Sequence, residues 1–216
     1  KYLQGRGLVI SGKSILEVGA GATNSTGYEL SRRFPGNDIL LLEPCVEFDA
    51  IADRKLQPLS AGSPENCCQQ FPIRRLQDSG ALEDRSIDLI LSHSVLEHVA
   101  QPQAFFQELK RILRPEGLML HIADYRDHFF KYPYHFLQFS RKTWNRCLNP
   151  GDLPGWRLGE HLQIIRGLDL HVEILDQQRE AAAFAKIRPH ISPDYDLNDP
   201  YLDVTRAVLA VTRPQG

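Results

Sequence analysis

The stretch Ile15-Leu-Glu-Val-Gly-Ala-Gly-Ala-Thr23 constrains the fold of this chain more than any other. Ile15, Leu16 and Val18 form a short apolar run with a β-branched bias, the pattern of a parallel strand covered on both faces. Gly19 and Gly21 end it abruptly. Glycine allows a sharp turn and lets a ligand approach the backbone with no Cβ in the way. Thr23, Asn24 or Ser25 can then cap a helix running to about Phe34, ahead of Pro35-Gly36. A strand, a glycine turn and a helix N-terminus together form a nucleotide-type site. Glu17 is the odd member of the run. A carboxylate inside a buried strand needs a partner, either a cation of the chain such as Lys13 or a cationic group on a ligand.

The rest of the chain repeats this strand–helix alternation. Asp38 to Glu43 reads as a second buried strand. It ends in a carboxylate 24 residues after Gly19, where an acid can accept both hydroxyls of a ribose. Val46 to about Leu56 reads as a helix, and Phe71 to Gln77 as a third strand leading into Asp78 and Ser79. Asp78 is placed either to accept from an exocyclic amine such as that of adenine or to form a turn. Ser86 to Ser92 is a fourth, central strand that opens into His93. Pro102 to Leu113 has amphipathic helical spacing and stops at Arg114-Pro-Glu-Gly117; Leu118 to Ala123 is the fifth strand. Such alternation means a parallel sheet with right-handed crossovers. From Asp124 to Trp156 the pattern changes to a long aromatic insertion, which suits a lid or binding loop. A helix over 161–168, a strand over 170–175, an Ala-rich helix over 177–187 and a last strand over 206–212 follow.

Length, charge and cysteines narrow the class. The 216 residues fit one α/β domain, with a lid or acceptor insertion over about 125–158. A net charge of −2 with dispersed Lys and Arg disfavours nucleic acid and membrane surfaces. No apolar run reaches the ~20 residues of a membrane span, and no signal peptide is read. Cys45, Cys67, Cys68 and Cys147 lack Cys-x-x-Cys spacing, so reduced thiols and a cytoplasmic location are expected.

Four features together resemble the class I S-adenosylmethionine-dependent methyltransferases. Glu17-x-Gly19-x-Gly21 is similar to the family's first motif and Glu43 to its ribose acid. Asp78 is similar to its adenine-side acid. Ser86-Ile-Asp-Leu-Ile-Leu-Ser-His-Ser-Val-Leu-Glu-His-Val99, with Ile112-Leu-Arg-Pro-Glu-Gly117, resembles its fourth strand and the approach to the fifth, with Glu116 where the family usually has Gly. The resemblance covers about residues 10–124. It implies a Rossmann-like, doubly wound seven-stranded sheet in the order 3-2-1-4-5-7-6, the last strand antiparallel. It also implies S-adenosylmethionine held by Glu17, Gly19, Ala20, Gly21, Glu43, Pro44, Asp78, Ser79 and Ser92. The chemistry agrees: this cofactor carries an ammonium, a sulfonium, a ribose diol and an adenine amine but no phosphate, and calls for carboxylates at successive strand ends. An NAD-dependent oxidoreductase is the alternative, but Asn24 occupies the third glycine position of Gly-x-Gly-x-x-Gly. A non-catalytic cofactor-binding module is the third reading.

The donor is already activated, so the protein mainly positions the acceptor. An oxygen acceptor must also lose a proton, which suits a histidine. His93, His98, His121 and His128 are candidates. His128 is favoured, with Asp124 or Asp127 orienting it; His93 stands directly after the fourth strand. His121, Asp124, Asp127 and His128 could hold a metal only if the loop folds back, since alternation puts His121 and Asp124 on opposite faces; none is expected. The expected reaction is methylation of a small hydroxylated acceptor, favouring oxygen: a sugar, glycan precursor or secondary metabolite. Oligomeric state is not readable.

Overall fold

The computed structural model describes residues 11–60, 73–129, 132–149 and 153–214. Seven strands form one sheet: β1 (Ser14–Val18), β2 (Asp38–Leu42), β3 (Ile73–Leu76), β4 (Ile87–His93), β5 (Leu113–Asp124), β6 (His171–Arg179) and β7 (Val204–Thr212). Their order, β3-β2-β1-β4-β5-β7-β6, is the expected one. β1 pairs parallel with β2, and β2 with β3. β7 runs antiparallel to both β5 and β6. The apolar runs of β1 and β2 are buried almost without interruption, as strands covered on both faces must be.

The chain divides into two compact units, Lys1–Leu91 with Arg111–Gly117 and Ser92–Lys110 with Leu118–Gly216. In the first, α1 (Ser25–Arg33) buries Gly27, Tyr28 and Ser31. A Cβ at Gly27 would sit 3.0 Å from a Leu41 methyl and 3.2 Å from an Ile73 methyl, so glycine lets the helix approach the sheet without displacing these side chains. The following helix, α2 (Ala50–Ser60), starts four residues later than its apolar pattern suggests. Asp49 supplies the reason: its carboxylate accepts from the amides of Ile51 and Ala52 and caps the helix there. Asp53 then ties α2 to α1 by accepting from Tyr28 Oη at 2.5 Å and Asn24 N at 2.7 Å. Residues 71 and 72 of the expected third strand, Cys67 and Cys68 lie outside the described residues.

The helix α3 (Pro102–Ile112) buries Phe106, Leu109 and Ile112, as its spacing predicts. The helix ends at Ile112, next to the expected stop, but β5 begins directly at Leu113, so Arg114-Pro-Glu-Gly117 belongs to the strand expected only from Leu118. In the second unit, α4 (Leu158–Gly167) is followed by β6, which runs on to Arg179 where a helix is expected from Gln177. Gln178 pairs with Arg206, and Thr205 Oγ1 donates to the Gln178 carbonyl at 3.0 Å, so the ladder holds these residues extended. α5 is correspondingly short (Ala181–Ile187). The aromatic insertion packs as a core of its own: Tyr134, Phe136, Leu137, Trp144 and Leu153 cluster with Tyr195 and Leu202. Trp144 is fully buried and its indole donates to the Leu153 carbonyl at 3.0 Å. Among the described residues no helix is long and apolar enough to cross a membrane.

Candidate active site

The first unit places five of the expected residues in one cradle at the carboxyl ends of β1 and β2. Gly19 and Gly21 have φ of 80° and 68°, a conformation that disfavours any residue with a Cβ. The amides of Gly19 and Ala20 donate to the Leu42 carbonyl at 2.9 and 3.4 Å, fastening the turn to β2. Glu43 is buried and its carboxylate closes the structure. Oε2 accepts from Gly21 N at 2.8 Å, while Oε1 accepts from Cys45 N at 2.9 Å and Val46 N at 3.0 Å. A carboxylate has about four acceptor positions, so Glu43 keeps limited capacity for a ribose while it clamps the glycine turn. Above Gly21 the space is open: a Cβ built there meets nothing within 4 Å.

Glu17 is 7% exposed, and its Oε2 has no hydrogen-bond partner among the described residues. Burial pushes its pKa from 4.5 to about 7, against the opposing pull of a Thr26 hydrogen bond and the Arg75 charge. Between pH 4.5 and 7 the folded chain therefore holds a proton that the unfolded chain has lost, so this group's contribution to stability falls as pH rises through that window. The expected difference is about 3 kcal/mol across the window. Urea unfolding at pH 5 and pH 8 should show it in the wild type and lose it in Glu17→Gln; equal pH slopes in both proteins would refute it.

Arg75, on β3, was not singled out by sequence reasoning. Its guanidinium donates to the carbonyls of Gly21 and Thr23 and to Asn24 Oδ1, and lies 5.1 Å from the centre of the Phe48 ring. A charged residue inside a strand was the available signal. Pro44 is exposed beside Glu43. Asp78 is exposed and accepts from Gly80 N at 2.7 Å, the turn-forming geometry. The Ser79 carbonyl accepts from Leu82 N at 2.9 Å.

The second unit contains Ser92 and the proton-transfer candidates. Ser92 is buried and its hydroxyl meets His121 Nδ1 at 2.7 Å, so it is engaged inside the fold. His121 and His161 are both fully buried, and burial pushes each pKa down to about 3, leaving neutral imidazoles. His161 Nδ1 meets Tyr125 Oη at 2.8 Å. A cavity of about 340 Å³ opens at the ends of β4, β5 and β7, lined by His93, Ser94, Asp124, Arg126, Thr205 and Arg206, with Gln178 and Glu180 from the β6 side. Asp124, Arg206 and Gln178 occupy one cross-strand row. Ser94 has a left-handed backbone (φ 54°), held by its amide donating to the Ile122 carbonyl at 2.8 Å.

His128 does not line this cavity. Its Nε2 lies 4.0 Å from Asp124 Oδ1, too far for a hydrogen bond, and its ring sits 5.2 Å from that of His98. Asp124 is instead gripped by Arg126, whose Nε and Nη2 donate to its two oxygens at 2.9 and 2.5 Å. Asp127 accepts from Phe129 N at 2.9 Å and lies 3.9 Å from His135 rather than orienting His128. Below the row, Glu97 is 2% exposed and accepts from Asp124 N at 3.1 Å; burial pushes its pKa up to about 7. Among the described residues no group of three or more His, Cys, Asp or Glu side chains is placed to hold a metal ion.

Comparison with known proteins agrees with this geometry. Residues 16–121 match the family model of a methyltransferase domain. The chain is 26% identical to the human (Homo sapiens) thiol S-methyltransferase TMT1B over 135 residues, 62% of this chain and 52% of that protein. It is 32% identical to the tRNA 5-carboxymethoxyuridine methyltransferase of Escherichia coli (strain K12) over 106 residues, 49% of this chain and 38% of that protein. The chain thus spans about half or less of the length of these curated relatives. The solved structure of the YcgJ protein from Bacillus subtilis shares the fold, with a TM-score of 0.57 at 15% identity, covering 94% of this chain and 93% of that one. Residues 16–121 thus form a methyltransferase domain, built on the Rossmann-like sheet order of the S-adenosylmethionine-dependent enzymes, and S-adenosylmethionine is its cofactor. The cradle fits that group: a buried carboxyl with a free oxygen suits a cationic ligand, and the space above Gly21 is open.

Proposed function

We propose that this chain transfers a methyl group from S-adenosylmethionine to a hydroxyl oxygen of a small hydroxylated acceptor, such as a sugar, a glycan precursor or a secondary metabolite. The polar cavity at the ends of β4, β5 and β7 carries this reading. Its lining alternates acceptors (Asp124, Glu180) with donors (Arg126, Arg206) and two-way groups (Ser94, Gln178, Thr205). A polyol both donates and accepts at every hydroxyl, and this mixture satisfies both needs. S-adenosylmethionine supplies the methyl on a positively charged sulfur, so no further activation of the donor is required.

The residues of the chain then divide the work. Glu17, Gly19, Ala20, Gly21 and Glu43 hold the cofactor, with Pro44, Asp78 and Ser79 at the neighbouring strand ends. Ser92 acts from inside the fold by fixing His121. His93 lines the cavity and takes the hydroxyl proton on its imidazole. Asp124, fixed by Arg126, positions the acceptor; His128 is the second candidate base. The exposed free thiols of Cys45 and Cys147 suit a cytoplasmic setting.

The test uses a labelled methyl group with sugars, a thiol and tRNA as parallel acceptors. Transfer to a hydroxylated small molecule is expected, and His93→Ala should lower kcat by about 100- to 1,000-fold with cofactor affinity unchanged. His128→Ala should cost less than about tenfold. Transfer to the thiol or to tRNA alone would overturn the acceptor reading.

A further inference from the structure

We infer that the acceptor is amphipathic: a hydroxylated head in the polar cavity and an apolar chain in a second, larger cavity beside it. The inference rests on the proposed function, since it extends the acceptor site named there. The second cavity, about 740 Å³, lies entirely within the second unit, between the turn at 132–138 and α5. Tyr132, Pro133, Tyr134, Ala182 and Ile187 form its apolar wall, and His135 and Lys186 stand among its polar lining. Glu180 lines both cavities, so the two adjoin at this residue.

The shared wall is firmly placed. The Glu180 amide donates to Tyr134 Oη at 3.0 Å, and Tyr134 Oη in turn donates to the Asp203 carbonyl at 2.6 Å. A head held by Arg206, Gln178 and Glu180 therefore has only one residue between it and the apolar wall. The polar cavity, at about 340 Å³, is less than half the volume of the larger one and suits a compact polar head. The larger one has His135, Gln138 and Lys186 among its polar members, but aromatic rings and methyl groups make up most of its wall, and these give a hydrocarbon chain the burial it gains from. Tyr132 supports the same occupant. It lines the cavity yet is 69% exposed, an aromatic ring left in water while Tyr125, Tyr134, Phe136 and Trp144 of the same insertion are buried.

The test is calorimetric titration of the full chain with methyl, hexyl and octyl β-D-glucoside, each below its micelle-forming concentration. Burying even part of the octyl chain should make it bind at least about 30-fold more tightly than the methyl glucoside. Ala182→Trp fills the cavity and should reduce that ratio below about threefold; Ala181→Leu, a milder filling, should reduce it partway. S-adenosylmethionine affinity serves as the check that each variant is folded. Equal affinity across the series, binding by none of the glucosides, or a chain-length gain that survives both substitutions would overturn the inference. Methyl transfer to the same glucosides separates the two readings. A chain-length gain without transfer leaves the apolar site standing and removes the hydroxyl acceptor. Transfer without a gain does the reverse.

Discussion

Replacing Glu43 with alanine is expected to weaken S-adenosylmethionine binding by at least about 100-fold, because one carboxylate performs two tasks. It accepts three backbone amides, from Gly21, Cys45 and Val46, and so holds the glycine turn of β1 to the loop after β2. It also stands at the strand end where an acid meets a ribose. Each charge-assisted hydrogen bond is worth about 1.5–3 kcal/mol, and loss of the clamp releases a turn whose glycines tolerate many conformations. Glu43→Gln keeps an acceptor oxygen but not the charge, and should lie between the two at roughly tenfold. Calorimetry reads both; an alanine effect below fivefold would show that the turn holds without the clamp.

Arg157→Ala is expected to cost about 4 kcal/mol or more of stability, the largest loss of any single substitution considered for the second unit. Arg157 is 1% exposed. Its guanidinium donates to the carbonyls of Tyr125 at 2.6 Å, Leu202 at 2.7 Å and Val204 at 2.5 Å, and packs near the rings of Tyr125 and Phe136. These carbonyls belong to the start of the aromatic insertion and the approach to β7. Removing the guanidinium leaves three of them in a dry interior. Burial lowers the pKa of Arg157, but an arginine remains protonated at any physiological pH. Arg157→Lys should recover less than half the loss, because an ammonium cannot reproduce the planar fork. Urea unfolding followed by circular dichroism measures both; a loss under 1 kcal/mol for alanine would mean that other groups rescue the carbonyls.

The sheet was legible in the sequence because its signals are local. Apolar runs mark β1, β2 and β4, and the spacing from Gly19 to Glu43 follows from the topology. Positions whose meaning depends on a distant neighbour were less legible. Ser92 sits at the right strand end, but its hydroxyl is engaged by His121, 29 residues away. Asp78 has the expected residue type and a turn-forming geometry. His128 and Asp124 stand at helical spacing, yet the chain there is not helical and Arg126 takes the carboxylate. Arg206 escaped notice because the start of β7 reads as an ordinary strand edge, and Gln178 and Glu180 because they fall inside the helix expected over 177–187; only the antiparallel return of β7 sets Arg206 beside Asp124. Composition likewise cannot distinguish an aromatic cover that stacks on a ligand from one that packs on itself, as Trp144 and Phe136 do.

One titration tests the central claim most directly: calorimetry of the chain against S-adenosylmethionine, its demethylated product and NAD in parallel. Binding of the first two at micromolar or tighter affinity, with no heat from NAD, is the predicted result. Binding of NAD alone would contradict the assignment of the Glu17–Gly21 turn and Glu43 to a methyl donor.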